Sequence, residues 1–449
     1  MTVLQLSSES EVAPLDSILV SALASRVSEA LADERIFRRA NGNADLLVAQ
    51  EWDFARSAAQ AECARLGTSL RQEGRVPFSD SQERQLANAA IAQVLGLGRL
   101  QSLLDDPEIS DIHVRGCASV WVKLRNGTRQ KVAPVVDTDD ELIELIRRAA
   151  TRIGRTERRF DAATPELNLQ LPDGSRLFAT MEVSARPSLV IRRHCFEISS
   201  LNELRLRGLF DETLQDFFAA AVSAKRNIVI AGGTGSGKTT LLRALINEVG
   251  TSERIVTIED AYELGLERFE DLHPDHDALQ SRPANIEGRG EITLADLTRM
   301  ALRMDPDRVI VGEVRGAEAF PMLMAMSQGN NGSMCTMHAD STRSVFPKLA
   351  AYVSMASTGL PVETVNLLVA SAIHFVVYID NTNANRRVTS VREVVDSEGS
   401  TIVSNEIFHL DIEDGTITGF PLREHTRKLL ASHGLGTHDS IVPTIGQAL

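Results

Sequence analysis

The sequence predicts an α/β fold arranged in two or three domains, and three observations support this prediction. The chain has 449 residues, which is too long for one compact core. Short apolar runs alternate with helical patterns across much of the second half, which is typical of a parallel sheet covered by helices. A glycine-rich segment joins one of these runs to a helix, as in many proteins that bind phosphate groups.

Residues 1–80 are predicted to form a helical N-terminal segment. Apolar side chains recur at helical spacing from Leu15 to Leu31, and residues 52–66 show a second helical pattern. Residues 81–198 are predicted to form a small α/β domain that begins with a third helix over 81–94. Its strands are predicted at 112–114, 120–122, 168–171, 176–180 and 189–191, with a helix at 141–153.

A linker is predicted at residues 199–208, and a second, larger α/β domain at residues 209–425. Asp211 is placed as the N-cap of that domain's first helix. Strands are predicted at 227–231, 255–258, 309–311 and 334–337, and helices at 238–249, 293–304 and 317–326. Residues 426–449, which end in a Gly-, His- and Ser-rich stretch, are predicted to form a flexible tail.

Composition narrows the possible locations and partners. The four cysteines are far apart and form no C-x-x-C pair, which favours a reducing compartment, and the N-terminus has no signal-peptide pattern. The longest apolar stretch, residues 367–379, is too short to span a bilayer. We therefore expect a cytoplasmic protein that docks at a membrane if it works there. The net charge of −14 argues against nucleic acid as a partner.

The glycine-rich segment fits the pattern G-x-x-x-x-G-K-[ST] at every fixed position. Its backbone N–H groups would surround a phosphate chain, and the positive end of the following helix dipole would face that charge. Lys238 is expected to reach the β- and γ-phosphates, and the Thr239 hydroxyl to hold Mg²⁺. The predicted nucleotide-binding residues are Gly232, Gly233, Thr234, Gly235, Ser236, Gly237, Lys238, Thr239 and Thr240.

Three polar residues follow predicted strands of the larger domain: Glu259, Glu313 and His338. Ligands collect at the carboxyl ends of parallel strands, so these side chains are predicted to converge on the bound nucleotide. Hydrolysis of a nucleoside triphosphate requires a carboxylate near Mg²⁺ and a group that orients the attacking water. Glu259 and Glu313 are the candidates for these two roles.

The motifs together resemble those of the type II and type IV secretion ATPases, and most closely the CpaF-type branch that drives Flp/Tad pili. The glycine-rich loop is similar to the family's Walker A motif. The segments at 255–260 and 281–290 are similar to the family's Asp box. The segment at 304–316 is similar to its Walker B region, and the segment at 332–339 to its His box.

The resemblance implies a homo-hexamer whose subunits contain a small PAS-like α/β domain and a RecA-like ATPase domain. It implies ATP and Mg²⁺ as cofactors, and an inner-membrane platform protein as the partner at the cytoplasmic face of the membrane. Glu259 matches the proposed general base, Glu313 the Walker B acid near Mg²⁺ and His338 the γ-phosphate sensor. Arg176 and Arg192 match the small-domain arginines that reach the phosphates.

Several alternatives remain open. A conjugation or effector-export ATPase is the main one, and a nucleic-acid translocase is disfavoured because only 4% of residues are aromatic. A GTPase is disfavoured because the sequence lacks an Asn-Lys-x-Asp motif.

The chain departs from the family pattern at Asn330 and Asn331, where relatives usually have His-Asp, and at Arg115, where they usually have Asn.

Overall fold

The computed structural model describes residues 17–153, 159–193, 199–285, 287–382 and 385–436. The start of the predicted N-terminal segment (1–16) and the end of the predicted tail (437–449) lie outside these residues. The chain folds into two compact units, residues 1–194 and 195–449. Both contain helices and a sheet, so the predicted α/β fold class is confirmed.

The first unit begins with three helices: α1 (Ser17–Ala40), α2 (Val48–Gln72) and α3 (Asp80–Val94). Ser79 caps α3 and accepts a hydrogen bond from the Gln82 backbone N–H. Apolar residues of all three helices share one core: Leu23, Val27, Leu31, Ala55, Ala59, Cys63, Leu86, Ala90 and Ile91. The helical segment therefore extends past residue 80, where the sequence analysis ended it, because α3 completes this core.

The remainder of the first unit contains a six-stranded sheet. Its elements are α4 (Leu100–Asp105), β1 (Ile109–Arg115), β2 (Ser119–Leu124), β3 (Arg129–Val132), α5 (Asp139–Ile153), β4 (Glu166–Gln170), β5 (Arg176–Thr180) and β6 (Ser188–Arg192). The strand order is β3-β2-β1-β6-β5-β4, and all neighbours are antiparallel. β3 was not predicted because its residues are mostly exposed and polar, which leaves no apolar alternation to detect.

The two faces of this sheet differ in chemistry. One face buries strand residues such as Ile112, Leu177 and Leu189 in a core shared with Leu142 and Ile146 of α5. Alternate residues along the strands lie on the opposite face, which is partly exposed. The alternation of buried and exposed residues is that of a sheet with a single covered face.

Besides a short 3₁₀ helix at Leu266–Arg268, the described residues of the second unit form seventeen α-helices and β-strands. These are α6 (Leu201–Leu206), α7 (Glu212–Ser223), β7 (Ile228–Gly232), α8 (Lys238–Ile246), β8 (Ile255–Glu259), β9 (His276–Gln280), α9 (Leu294–Ala301), β10 (Arg308–Val314), α10 (Ala319–Ser327), β11 (Met334–His338), α11 (Val345–Met355), α12 (Val362–Ala372), β12 (Phe375–Thr382), β13 (Asn385–Glu398), β14 (Thr401–Leu410), β15 (Ile417–Thr418) and α13 (Glu424–Ala431).

The nine strands described in this unit form one sheet in the order β15-β14-β13-β12-β7-β11-β10-β8-β9. The six strands from β12 to β9 are parallel, and β13, β14 and β15 extend the sheet antiparallel. One core contains residues of α7 and α8, and a second core contains residues of α9, α10, α11 and α12. The central strands are buried because helices cover both faces of the sheet.

Two predicted segments of this unit need correction. Residues 199–208 are not an open linker, because they contain α6, which is capped by Ser200 and buries Leu201 and Leu204. The tail predicted from residue 426 contains most of α13, and Leu430 and Leu435 pack into the core.

The predicted strands around β7, β8, β10 and β11 are confirmed, whereas β9 and the strands from β12 onward were not predicted. The apolar stretch at 367–379 divides into the end of α12 and the start of β12. The His374 side chain lies at this division and accepts a hydrogen bond from the Asn227 backbone N–H. None of the described helices has the length and apolar content that a bilayer crossing requires.

Candidate nucleotide-binding site

The glycine-rich loop lies between β7 and α8, where two of its glycines have backbone angles that other residues rarely adopt. Gly235 has a φ of 72° and Gly237, the N-cap of α8, has a φ of 101°. Gly232 is required for a different reason, since a Cβ there would lie 2.5 Å from the Ile379 carbonyl oxygen. The loop is therefore shaped by local backbone geometry and by close packing against β12.

Two polar side chains of the loop are buried. The Ser236 hydroxyl has no hydrogen-bond partner within the described part of the chain. The Lys238 ammonium donates to the carbonyl oxygens of Gly232 at 3.1 Å and Gly233 at 2.7 Å. Burial lowers the pKa of Lys238, and the nearby carboxylate of Glu313 opposes this shift. Gly233, Thr234 and Gly235 are exposed, and Thr239 and Thr240 are half-buried.

The structure brings Lys238, His338 and Glu313 together in one chain of contacts. β11 lies between β7 and β10, so the ends of the three strands are adjacent. The Lys238 Nζ lies 3.4 Å from His338 Nδ1, and His338 Nε2 lies 2.9 Å from Glu313 Oε1. An ammonium group can only donate, so Nδ1 accepts, and Nε2 carries the hydrogen that is donated to Glu313.

Glu259, the other strand-end glutamate, is in a different environment. Its side chain is 3% exposed, and its Oε1 accepts hydrogen bonds from the backbone N–H groups of Glu263 at 2.8 Å and Leu264 at 2.9 Å. Burial raises the pKa of Glu259 to about 8, although these two hydrogen bonds act in the opposite direction. The carboxyl group therefore holds the loop after β8 in place and is withdrawn from solvent.

Next to Glu259, Asp260 is partly exposed and forms an ion pair that the sequence analysis did not predict. Its Oδ2 lies 2.6 Å from Arg315 Nη2, and its Oδ1 accepts from the Ser281 hydroxyl at 2.7 Å. Arg315 follows β10 and Asp260 follows β8, so the pair links two neighbouring strand ends. No short-range pattern could have indicated it, because 55 residues separate the two partners.

Arg176 and Arg192 belong to the first unit, where β5 and β6 place them side by side. They are direct partners in the antiparallel register of these two strands. Arg192 is 60% exposed, and its Nε lies 3.9 Å from Asp111 Oδ1 on β1. The two predicted phosphate-binding arginines thus share one end of one sheet face. Their contact with a nucleotide stays a prediction.

The departures from the family pattern do not involve the strand ends that carry Glu313 and His338. Asn330 lies before the start of β11, whereas His338 lies at its end. The Asn330 Nδ2 donates to the Pro306 carbonyl oxygen at 2.6 Å, so this residue joins two loops. Arg115 is exposed at the end of β1 in the first unit.

These residues fit a nucleoside triphosphate and Mg²⁺. Among the residues that the structure describes, the buried Ser236 hydroxyl has no partner, and the Lys238 ammonium contacts two loop carbonyls and His338. Both can interact with phosphate oxygens, as can the N–H groups at the start of α8. The Thr239 hydroxyl and the Glu313 carboxylate are oxygen ligands of the kind that Mg²⁺ prefers.

The fold and the site define a P-loop protein of the α/β class, with strand-end carboxylate and imidazole groups beside the loop lysine. The sequence model of the family described as "Type II/IV secretion system protein" matches residues 94–405. The chain belongs to this family, and the resemblance seen in the sequence is confirmed at that level.

Individual relatives cover most of the same region. A Mycobacterium tuberculosis protein named for conjugal transfer is 33% identical over 336 residues, which are 73% of this chain and 92% of the relative. The type IV secretion system protein VirB11 of Brucella suis is 30% identical over 310 residues, which are 63% of this chain and 84% of the relative. The crystal structure of a Brucella suis VirB11 ATPase covers 65% of this chain and 91% of its own, with 29% identity and a TM-score of 0.36.

Proposed function

We propose that this protein is an ATPase that powers a secretion or pilus machine at the cytoplasmic face of a membrane. The observation that carries the proposal is the contact chain from Lys238 through His338 to Glu313 beside the loop. Membership of the secretion-system family supports the biological setting. The finer proposal is a homo-hexamer that acts on an inner-membrane platform protein.

In the proposed reaction, Lys238 binds the β- and γ-phosphates and Glu313 orients the attacking water. Glu313 Oε1 is engaged by His338, which leaves Oε2 to accept a proton from that water. The water oxygen bonds to the γ-phosphorus and the bond to the β-phosphate oxygen breaks, which gives ADP and phosphate. Mg²⁺, held by the Thr239 hydroxyl near Glu313, would neutralise charge on the phosphate oxygens.

We assign the water-orienting function to Glu313 rather than to Glu259. Glu259 is 3% exposed and both its backbone hydrogen bonds serve the loop that follows β8. Glu313 is about one-third exposed and contacts His338, which in turn contacts the loop lysine. Arg176 and Arg192 are proposed to contact the phosphates when the two units close on ATP.

The test compares three variants in a steady-state ATPase assay, with nucleotide binding measured separately by a fluorescent ATP analogue. Lys238→Ala is expected to abolish hydrolysis, and Glu313→Gln is expected to bind nucleotide yet lower kcat at least about 100-fold. Glu259→Gln is the matched control and should retain turnover. A folded Glu259→Gln protein without activity, beside an active Glu313→Gln protein, would transfer the function to Glu259.

A second candidate is the motor of a conjugation or effector-export system, which the relatives named for conjugal transfer and type IV secretion favour. The two candidates share the ATPase reaction and differ in cargo. Introducing Lys238→Ala into the native host separates them. Loss of surface pili supports the pilus motor, whereas loss of DNA or effector transfer with normal pili supports the second candidate.

A fully active monomer in analytical ultracentrifugation would contradict the proposed homo-hexamer.

A further inference from the structure

The hairpin of β12 and β13 runs beside the glycine-rich loop. β12 pairs with β7 in parallel, and its Ile379 lies opposite Gly232, where β7 ends. β12 continues beyond this point to Thr382, and β13 returns from Asn385. The outer part of the hairpin therefore projects past the carboxyl edge of the sheet, on the side where the loop begins.

Two consecutive arginines in this projecting part belong to opposite faces of the hairpin. Val388 pairs with Ile379, and both pack into the core that contains α8. Arg386 is two residues from Val388, so it shares the α8 face, whereas Arg387 belongs to the other face. Consistent with this, a Cβ on Gly237 at the start of α8 would lie 3.6 Å from Arg386 Cδ.

Within the described part of the chain, no neighbouring carboxylate neutralises the charge of Arg386. The protein has 61 acidic and 47 basic residues, so an exposed arginine has many potential partners. Nevertheless, Arg386 forms no ion pair with any residue that the structure describes. An uncompensated guanidinium beside the N-terminus of a phosphate-binding helix is suited to an anion, because both carry positive potential.

The strand order indicates which part of the nucleotide this cation can reach. His338 and Glu313, the proposed γ-phosphate side of the site, follow β11 and β10 on one side of β7. Arg386 is on β13, beyond β12 on the other side of β7. We infer that Arg386 binds the α- or β-phosphate of the nucleotide from the same subunit, an inference that rests on the proposed ATP-binding function.

Nucleotide affinity of the full-length protein tests this inference directly. The probes are ADP and a non-hydrolysable ATP analogue, titrated calorimetrically against wild type, Arg386→Ala, Arg386→Lys and Arg387→Ala. Arg386→Ala should raise the Kd for both nucleotides about tenfold or more, because the lost contact does not involve the γ-phosphate. The Kd of Arg386→Lys should fall between those of wild type and Arg386→Ala, whereas the control Arg387→Ala should keep its Kd within about twofold of wild type and its kcat near the wild-type value.

Lys238→Ala separates failure of this inference from failure of the proposed function. If Lys238→Ala loses binding while Arg386→Ala binds like wild type, the function stands and the inference is wrong. If the wild-type protein binds neither nucleotide, both are wrong. An equal loss in Arg386→Ala and Arg387→Ala also overturns the inference, since it would reflect general charge rather than a contact. Arg386→Met, which keeps the aliphatic stem against Gly237, replaces Arg386→Ala if that variant does not fold.

Discussion

Replacing Glu259 by glutamine is expected to stabilise the second unit at pH 8 and to leave its stability nearly unchanged near pH 4.5. The reason is the raised pKa of this carboxyl group, which burial shifts from 4.5 to about 8. Between these values the group is protonated in the folded protein and ionised in the unfolded chain. Folding must therefore take up a proton, which becomes less favourable as the pH rises.

The size of the effect follows from the shift. Each pH unit between the two pKa values costs the wild-type protein about 1.4 kcal/mol of unfolding free energy, so the full shift amounts to roughly 5 kcal/mol. Glutamine has no titrating group, and its carbonyl oxygen can still accept from the N–H groups of Glu263 and Leu264. The difference between variant and wild type should thus grow from pH 4.5 to pH 8 and then become constant.

The positions of the aromatic residues allow each unit to be followed separately. Both tryptophans, Trp52 and Trp121, are in the first unit, and the three tyrosines, Tyr262, Tyr352 and Tyr378, are in the second. Urea unfolding followed by tyrosine emission therefore reports the second unit, and tryptophan emission provides the internal control. The first unit should unfold identically in both proteins at every pH.

Parallel curves of unfolding free energy against pH for the two proteins would refute this reasoning. They would mean that Glu259 titrates normally in the folded state, and hence that its carboxyl group is accessible to water. In that case Glu259 would again be a candidate for the general base. Any constant offset between such parallel curves would measure only the packing that the amide loses or gains relative to the carboxyl group.

Two further predictions concern turnover. Arg192→Ala is expected to bind ATP with nearly normal affinity but to lower kcat about tenfold or more, because it removes a cation proposed to reach the phosphates only on closure. Arg115→Ala, on the same face of the first unit's sheet, is the control. An unchanged kcat for Arg192→Ala would remove this arginine from the mechanism. His338→Ala is expected to lower kcat roughly 10- to 100-fold with little change in KM, since Glu313 loses the hydrogen bond that orients it. A change confined to KM would show that His338 only binds substrate.

Much of the site could be predicted because its determinants are local in sequence. The loop is defined by glycines at positive φ and by the start of a helix, and both depend on neighbouring residues. Strand ends could likewise be located from short apolar runs. The hairpin β12–β13 could not be connected with the loop, because its position follows from pairing between β12 and β7, some 150 residues apart in the chain.

By itself, the sequence determined that this protein has a P-loop α/β fold and belongs to the secretion-system family, since both follow from short motifs in a fixed order. It could not distinguish Glu259 from Glu313, because each simply follows an apolar strand. The tertiary structure separated them: the loop after β8 covers Glu259 and supplies its hydrogen bonds, whereas β10 and β11 place Glu313 against His338. Burial and contact depend on distant parts of the chain, so only the folded structure shows which carboxylate adjoins the loop lysine.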